Sequence, residues 1–291
     1  MNFPQEVNMR WLSLLLLLAV NSVYADSSVW VVSKGANKLY IGGTVHVLAQ
    51  SDYPLPPEYD QAYSKSAQLV FETNMKDVAD PKFQQQMLER MMYPRGETLR
   101  NKLSPRAYQG LVKYCGDKDI PFANLEHMKP QMVVLLLTSM ALQRMGMVSA
   151  GVDEYYYQRA RKDHKPIQYF ETPTQQLDYL VNMGKGHEDQ LVLNTIRDLG
   201  DVKTMMGEMK SAWRTGDQEK FERVAIDPMK KDYPSLYQEL LVKRNNAWLG
   251  YIENMLKTPK VEFILVGALH LVGQDGVLQQ LQAKGYHVKQ F

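Results

Sequence analysis

Two short stretches at opposite ends of the chain share one pattern. YIGGTVHVL (residues 40–48) and FILVGALHLVG (residues 263–273) are each an apolar, strand-like run carrying Gly-x-x-His. The first reads Gly43-Thr44-Val45-His46 and the second Gly267-Ala268-Leu269-His270, so the histidines lie 270 − 46 = 224 residues apart. Short apolar runs bounded by turn residues read as buried strands. Between them, residues 80–257 are mostly helical in pattern. Strands at the two ends and helices between them predict an α+β (α/β-like) fold, a small mixed sheet formed from both chain ends with a large helical insertion. The ends are then neighbours in one sheet, and both histidines stand at its carboxyl edge, where open α/β sheets bind ligands. Glycine at Gly43 and Gly267 lets the backbone turn or approach a ligand closely.

The remaining elements follow from punctuation. Residues 29–33 and 38–41 form a hairpin around Lys34-Gly35-Ala36-Asn37. Pro57 opens a helix, and AQLVFET (residues 67–73) is a short buried strand with Glu72 at the end of its QLVFE run. Asp80-Pro81, Ser104-Pro105 and Thr172-Pro173 are helix-start signals. Residues 130–145 are apolar nearly all round, and IQYF (residues 167–170) is a strand ending at Glu171. A long helix covers residues 234–257, a strand residues 261–268, and a helix and strand close the chain. The Met-rich helices (Met87, Met91, Met92; Met205, Met206, Met209) have helical spacing, which suits adaptable core or the lining of a groove for an apolar peptide.

The amino terminus bounds the compartment. Residues 11–20 are apolar apart from Ser13, Arg10 is a positive flank, and Val23-Tyr24-Ala25 is a small-x-small cleavage site. That is a signal peptide over residues 1–25, with Met9 an alternative start, and it predicts export to the periplasm or secretion. The mature single domain of residues 26–291 has no second span long enough to cross a bilayer. Removing Glu6 and Arg10 cancels, so the net charge stays +2. With no basic run interleaved with aromatics, this excludes a nucleic-acid partner. The one cysteine, Cys115, allows no internal disulfide. Oligomeric state is not legible.

Two histidines facing one crevice suit a divalent ion. The third ligand is expected to be Glu72, because it ends its strand as His46 ends its own. Such a set leaves positions open for water and substrate, as catalytic sites do. A lone histidine after a strand is usually a loop residue; the repetition is what argues for function. Asp153 and Glu171 read as helix-capping groups or as outer carboxylates that orient a ligating histidine. His127, His164, His187 and His287 read as ordinary surface or loop residues.

Over nearly the whole mature chain the sequence resembles the TraB/GumN family, which includes the TIKI-like metalloproteases and is similar to the erythromycin-esterase superfamily. The stretches that carry the resemblance are LYIGGTVHVL, QLVFET, AGVDEYYYQRARKDHKPIQYFETPTQQLDYL, LLVKRNNAWLGYIENML and VEFILVGALHLVGQDGVLQQLQAKGYHV. The resemblance implies an active site of His46, His270 and Glu72, joined by an Arg-Asn pair at Arg244 and Asn245. Thr73-Asn74 departs from the pattern of members that carry a further acidic residue after the glutamate. The implied protein is an exported metal-dependent hydrolase acting on peptide bonds, with Mn or Co as the ion and Zn as the alternative. The guanidinium of Arg244 would hold a substrate carboxylate or an oxyanion. The substrate, a peptide or small molecule, is not given. Two other readings stay open: a metal- or heme-binding protein without turnover, and a metal-independent esterase using the same histidines as bases.

Overall fold

The computed structural model describes residues 27–291. The expected signal peptide lies outside the described residues.

Eight strands are present among the described residues: β1 (Val29–Lys34), β2 (Asn37–Thr44), β3 (Val47–Ala49), β4 (Gln68–Phe71), β5 (Met147–Ala150), β6 (Ile167–Tyr169), β7 (Glu262–Gly267) and β8 (His287–Gln290). Six of them form one sheet in the order β6-β4-β7-β2-β1-β8. β6, β4, β7 and β2 run parallel; at one side β1 pairs antiparallel with β2, and β8 pairs antiparallel with β1. The mixed α/β class expected from the sequence is what forms, with both chain ends in one sheet. Two strands come from inside the helical stretch, β6 in this sheet and β5 outside it.

The parallel strands are short apolar runs because both of their faces are covered. All four residues of β4 are buried, as are the first five of β7. The large core cluster is built on this sheet, with Trp213, Trp248, Tyr59, Tyr156 and Phe263 filling it. A second cluster, around Leu111, Val133, Leu137 and Val192, joins the helices Pro105–Asp117, Pro130–Arg144 and Glu188–Asp198. The Pro-marked helix starts form as expected. Asp80, Ser104 and Thr172 each accept a hydrogen bond from a backbone N–H of the first turn, which satisfies a donor the helix itself cannot.

Two details depart from the sequence reading. The glycine pair does not end β2: the strand continues through Gly42 and Gly43 to Thr44. A Cβ on Gly43 would come within 3.1 Å of the Ala268 backbone, so this glycine serves close approach of the two motif segments rather than a turn. The second departure is a two-stranded sheet, β3 with β5. It was too short to stand out in sequence, and it fixes the segment that carries His46. Gly151, just after β5, allows this packing; a Cβ there would lie 2.3 Å from the His46 carbonyl oxygen.

Candidate active site

Each of the four parallel strands delivers one polar residue just past its carboxyl end. His46 follows β2, Glu72 follows β4, Glu171 follows β6, and His270 follows β7. Register brings the two motifs together, because Thr44 pairs with Gly267 across β2 and β7. The crevice beyond this edge is the place where an open α/β sheet binds ligands.

The centre of the cluster is Arg244, which is buried on the helix Lys243–Met255. Its Nε donates to Glu171 Oε1 at 2.8 Å, and its Nη2 donates to Glu171 Oε2 at 2.9 Å and to Glu72 Oε2 at 2.5 Å. Its Nη1 donates to the Leu240 carbonyl at 3.3 Å and to His270 Nε2 at 3.0 Å. All five guanidinium N–H groups are therefore committed. Arg244 organises Glu72, Glu171 and His270 and presents no free fork to a substrate, which differs from the oxyanion-holding role expected of it. Burial opposes the guanidinium charge, but the Glu72 and Glu171 carboxylates outweigh it and raise the Arg244 pKa.

Asn245 also acts through a neighbour. Its Oδ1 lies 2.6 Å from His270 Nδ1, and its Nδ2 donates to the Asp275 carbonyl at 2.8 Å. With the amide oriented so, Nδ1 of His270 carries the proton and Nε2 accepts from Arg244. Burial lowers the His270 pKa to about 3, against the pull of Glu72, so the ring is neutral. Trp248 packs against it with the rings tilted by 44° and centroids 4.5 Å apart, and donates from Nε1 to Glu171 Oε1 at 2.9 Å.

His46 is placed from the other side. Its Nδ1 lies 2.9 Å from Asp153 Oδ2, and Asp153 sits in the first turn of the helix Val152–Lys162. The Asp153 carboxylate raises the His46 pKa to about 9, against the effect of burial and with Glu72 adding to it. The side chain is 62 % exposed, so solvent screens the pair. Glu72 is the counterpart. Burial pushes its pKa up, but Arg244, His270, His46 and the Gly267 N–H together hold it down at about 2. The Gly267 N–H donates to Glu72 Oε1 at 2.6 Å.

Three of these groups surround one small volume. A Cβ built on Gly267 would lie 3.3 Å from Glu72 Oε1, 3.5 Å from His270 Cδ2 and 3.7 Å from His46 Nε2. The space exists because residue 267 has no side chain. Two of the three, His46 and Glu72, also line an adjoining cavity of about 300 Å³, with Thr44, Thr73, Asp153 and Gln176 beside the apolar Phe71, Met75, Val78 and Leu265.

These contacts also test the site against a divalent ion. The donor types fit: two imidazoles and a carboxylate, with a second carboxylate, Glu171, sharing the single guanidinium. His46 Nε2 and Glu72 Oε1 already face one volume. His270 Nε2 is held by Arg244, however, and among the described residues no three His, Cys, Asp or Glu side chains are arranged as a ready metal group. An ion on all three ligands therefore requires Arg244 to release His270.

Four participants were not singled out in sequence. Gln176 donates to Glu171 Oε2 at 3.2 Å and to Glu72 Oε2 at 3.4 Å. Trp248 and Leu240 flank Arg244 at i + 4 and i − 4, a helical spacing that points at them once Arg244 is chosen. Thr44, inside the first motif, is 3 % exposed and its hydroxyl has no partner.

The chain belongs to the TraB/PrgY/gumN family, whose model matches residues 28–290. It is 22 % identical to "Uncharacterized protein YbaP" of Escherichia coli (strain K12) over 261 residues, covering 89 % of this chain and 93 % of that protein. It matches "Uncharacterized protein YbaP" of Shigella flexneri to the same extent. No solved structure gives a significant match. Among the described residues no helix is long and apolar enough to cross a membrane.

Proposed function

We propose that this protein is an exported hydrolase of peptide bonds whose reacting water sits between His46, Glu72 and His270. The observation that carries the reading is the Gly267 cradle, where a carboxylate oxygen and the edges of two imidazoles meet around one small open volume. His46, Glu72 and His270 are the residues that would hold a divalent ion, Mn or Co, or Zn. Such an ion supplies Lewis acidity and brings the pKa of water to about 7.

The chain's own groups do the rest. Glu72, ionised and anchored by the Gly267 N–H and Arg244, is a fixed acceptor that orients water. Asp153 holds the His46 ring so that Nε2 faces the same volume, as outer carboxylates do for ligating histidines. Without a cation, the proton on His46 Nε2 persists at neutral pH; it leaves when the site takes one. In hydrolysis the water oxygen bonds to the carbonyl carbon, the C–N bond breaks, and the amine departs with a proton.

A specific contact favours a second reading. Because Arg244 occupies His270 Nε2, the site is complete as a metal-free hydrolase in which the His46–Asp153 pair is the acid–base group. One experiment separates the two. The purified protein is assayed on a mixed peptide and ester panel after exhaustive chelation and after add-back of Mn, Co or Zn. Restoration by one ion supports the metal reading; activity indifferent to chelation supports the second. No hydrolysis of any member under any condition overturns both.

A further inference from the structure

A second cavity, of about 270 Å³, opens on the other side of His46. Its wall is largely apolar, formed by Met206, Met209, Phe221, Met229, Leu240 and Leu241, and the one lysine in it, Lys210, is paired with Asp52. It shares Thr44 and His46 with the cavity beside Glu72 and reaches Gly267, Arg244 and His270. His46 thus stands where a chamber of mixed lining, which holds Glu72, Asp153 and Gln176, meets a more apolar one. The buried, unpartnered Thr44 hydroxyl stands at the same junction.

The apolar chamber is shaped by two irregular helical turns. Residues 222–226 and 238–242 are π-helical. The first begins next to Phe221 and ends three residues before Met229; the second contains Leu240 and Leu241 and ends two residues before Arg244. A π turn interrupts the regular hydrogen-bond pattern and is found frequently at functional sites. Methionine side chains are unbranched and polarizable, so they fit around guests of varied shape.

We propose that this chamber is the specificity pocket of the site, and that the substrate carries a large apolar side chain, of leucine, methionine or phenylalanine size, beside the bond that is cut. The volume lies just under the roughly 300–1,000 Å³ of pockets that hold a whole ligand, so it suits one side chain rather than an entire substrate. The cavity beside Glu72 takes the rest of the substrate, with the reacting carbonyl at the Thr44–His46 junction. The chemistry remains the hydrolysis given above, on which this inference rests.

The test uses two panels in which one residue, X, is Gly, Leu, Met, Phe, Asp or Lys. Peptide anilides with X before the anilide report hydrolysis, and N-acetyl-X-amides report binding by saturation-transfer NMR, which needs no turnover. The inference expects Leu, Met and Phe members to exceed Gly, Asp and Lys by at least roughly tenfold in kcat/KM, the scale of one or two apolar groups in a pocket, and to bind preferentially. Met209→Trp, which fills the chamber, should abolish that preference in both panels; Met229→Trp is the second variant should the first not fold. Hydrolysis without apolar preference, or with preference for Asp or Lys, overturns the pocket and leaves the hydrolase. Apolar-selective binding without any hydrolysis supports the pocket and overturns the hydrolase. Binding of no amide overturns the pocket.

Discussion

His46 Nδ1 lies 2.9 Å from Asp153 Oδ2 although 107 residues separate them in sequence. The contact fixes the tautomer of His46 and aims Nε2 at the Gly267 cradle. Asp153→Asn is expected to bring the His46 pKa from about 9 back toward its ordinary 6.5. It should also weaken metal affinity by roughly 10–100-fold, the usual effect of losing such a carboxylate. NMR titration of the ring reads the first effect, and calorimetry with Mn the second. Because the folded pKa is raised, the pair's stabilisation is full below pH 6.5 and is lost as pH rises through 9.

Gly267→Ala places a methyl group in the cradle. The backbone at residue 267 has φ −51°, ψ 134°, which alanine adopts freely, and the nearest contact would be 3.3 Å. The variant should still melt cooperatively, with Glu72 Oε1 shifted by the new methyl, and lose at least roughly tenfold in kcat/KM, about 1.4 kcal/mol. Unchanged activity would place the reacting water elsewhere.

Acid should unfold this protein through the same cluster. Burial holds His270 at about 3 and the surrounding positive groups hold Glu72 at about 2. Both are depressed, so the unfolded chain binds more protons and stability rises with pH across each window. The His270 contribution is complete above 6.5 and declines as pH falls toward 3; that of Glu72 declines from about 4.5 toward 2. Melting temperature followed from pH 7 to pH 3 should fall, and His270→Gln should flatten the upper part of that fall. An identical pH profile in the variant contradicts the assignment.

The Arg244–Glu171 pair is buried on both sides, with side chains 10 % and 4 % exposed. Glu171→Ala leaves the guanidinium and the Trp248 N–H without their main acceptor. Removing one partner of such a pair costs about 3–5 kcal/mol, read as a shifted urea midpoint. A loss under about 1 kcal/mol, the range of exposed pairs, would show that Arg244 finds other support.

The sheet and the histidine pairing were legible because they rest on apolar runs of strand length and on a motif used twice. The parallel register that sets Thr44 beside Gly267 was not legible, since it depends on which strands become neighbours. Asp153 and Glu171 could be placed at element ends, but their partners lie 107 and 73 residues away, and spacing alone does not find such contacts. Arg244 was chosen by resemblance, and its saturation by protein acceptors became visible only once β4, β6 and β7 converged on one helix. Gln176 and the orphaned hydroxyl of Thr44 carry no pattern at all; each acquires meaning only from what surrounds it.

The two-histidine site is tested most directly by titrating the chelated protein with Co²⁺ or Mn²⁺ and counting ions bound per chain. The account predicts one ion in the natural protein and none in His46→Ala, Glu72→Gln and His270→Gln, each variant still melting cooperatively. No ion bound by the natural protein, or one ion still bound by any of these folded variants, would contradict it.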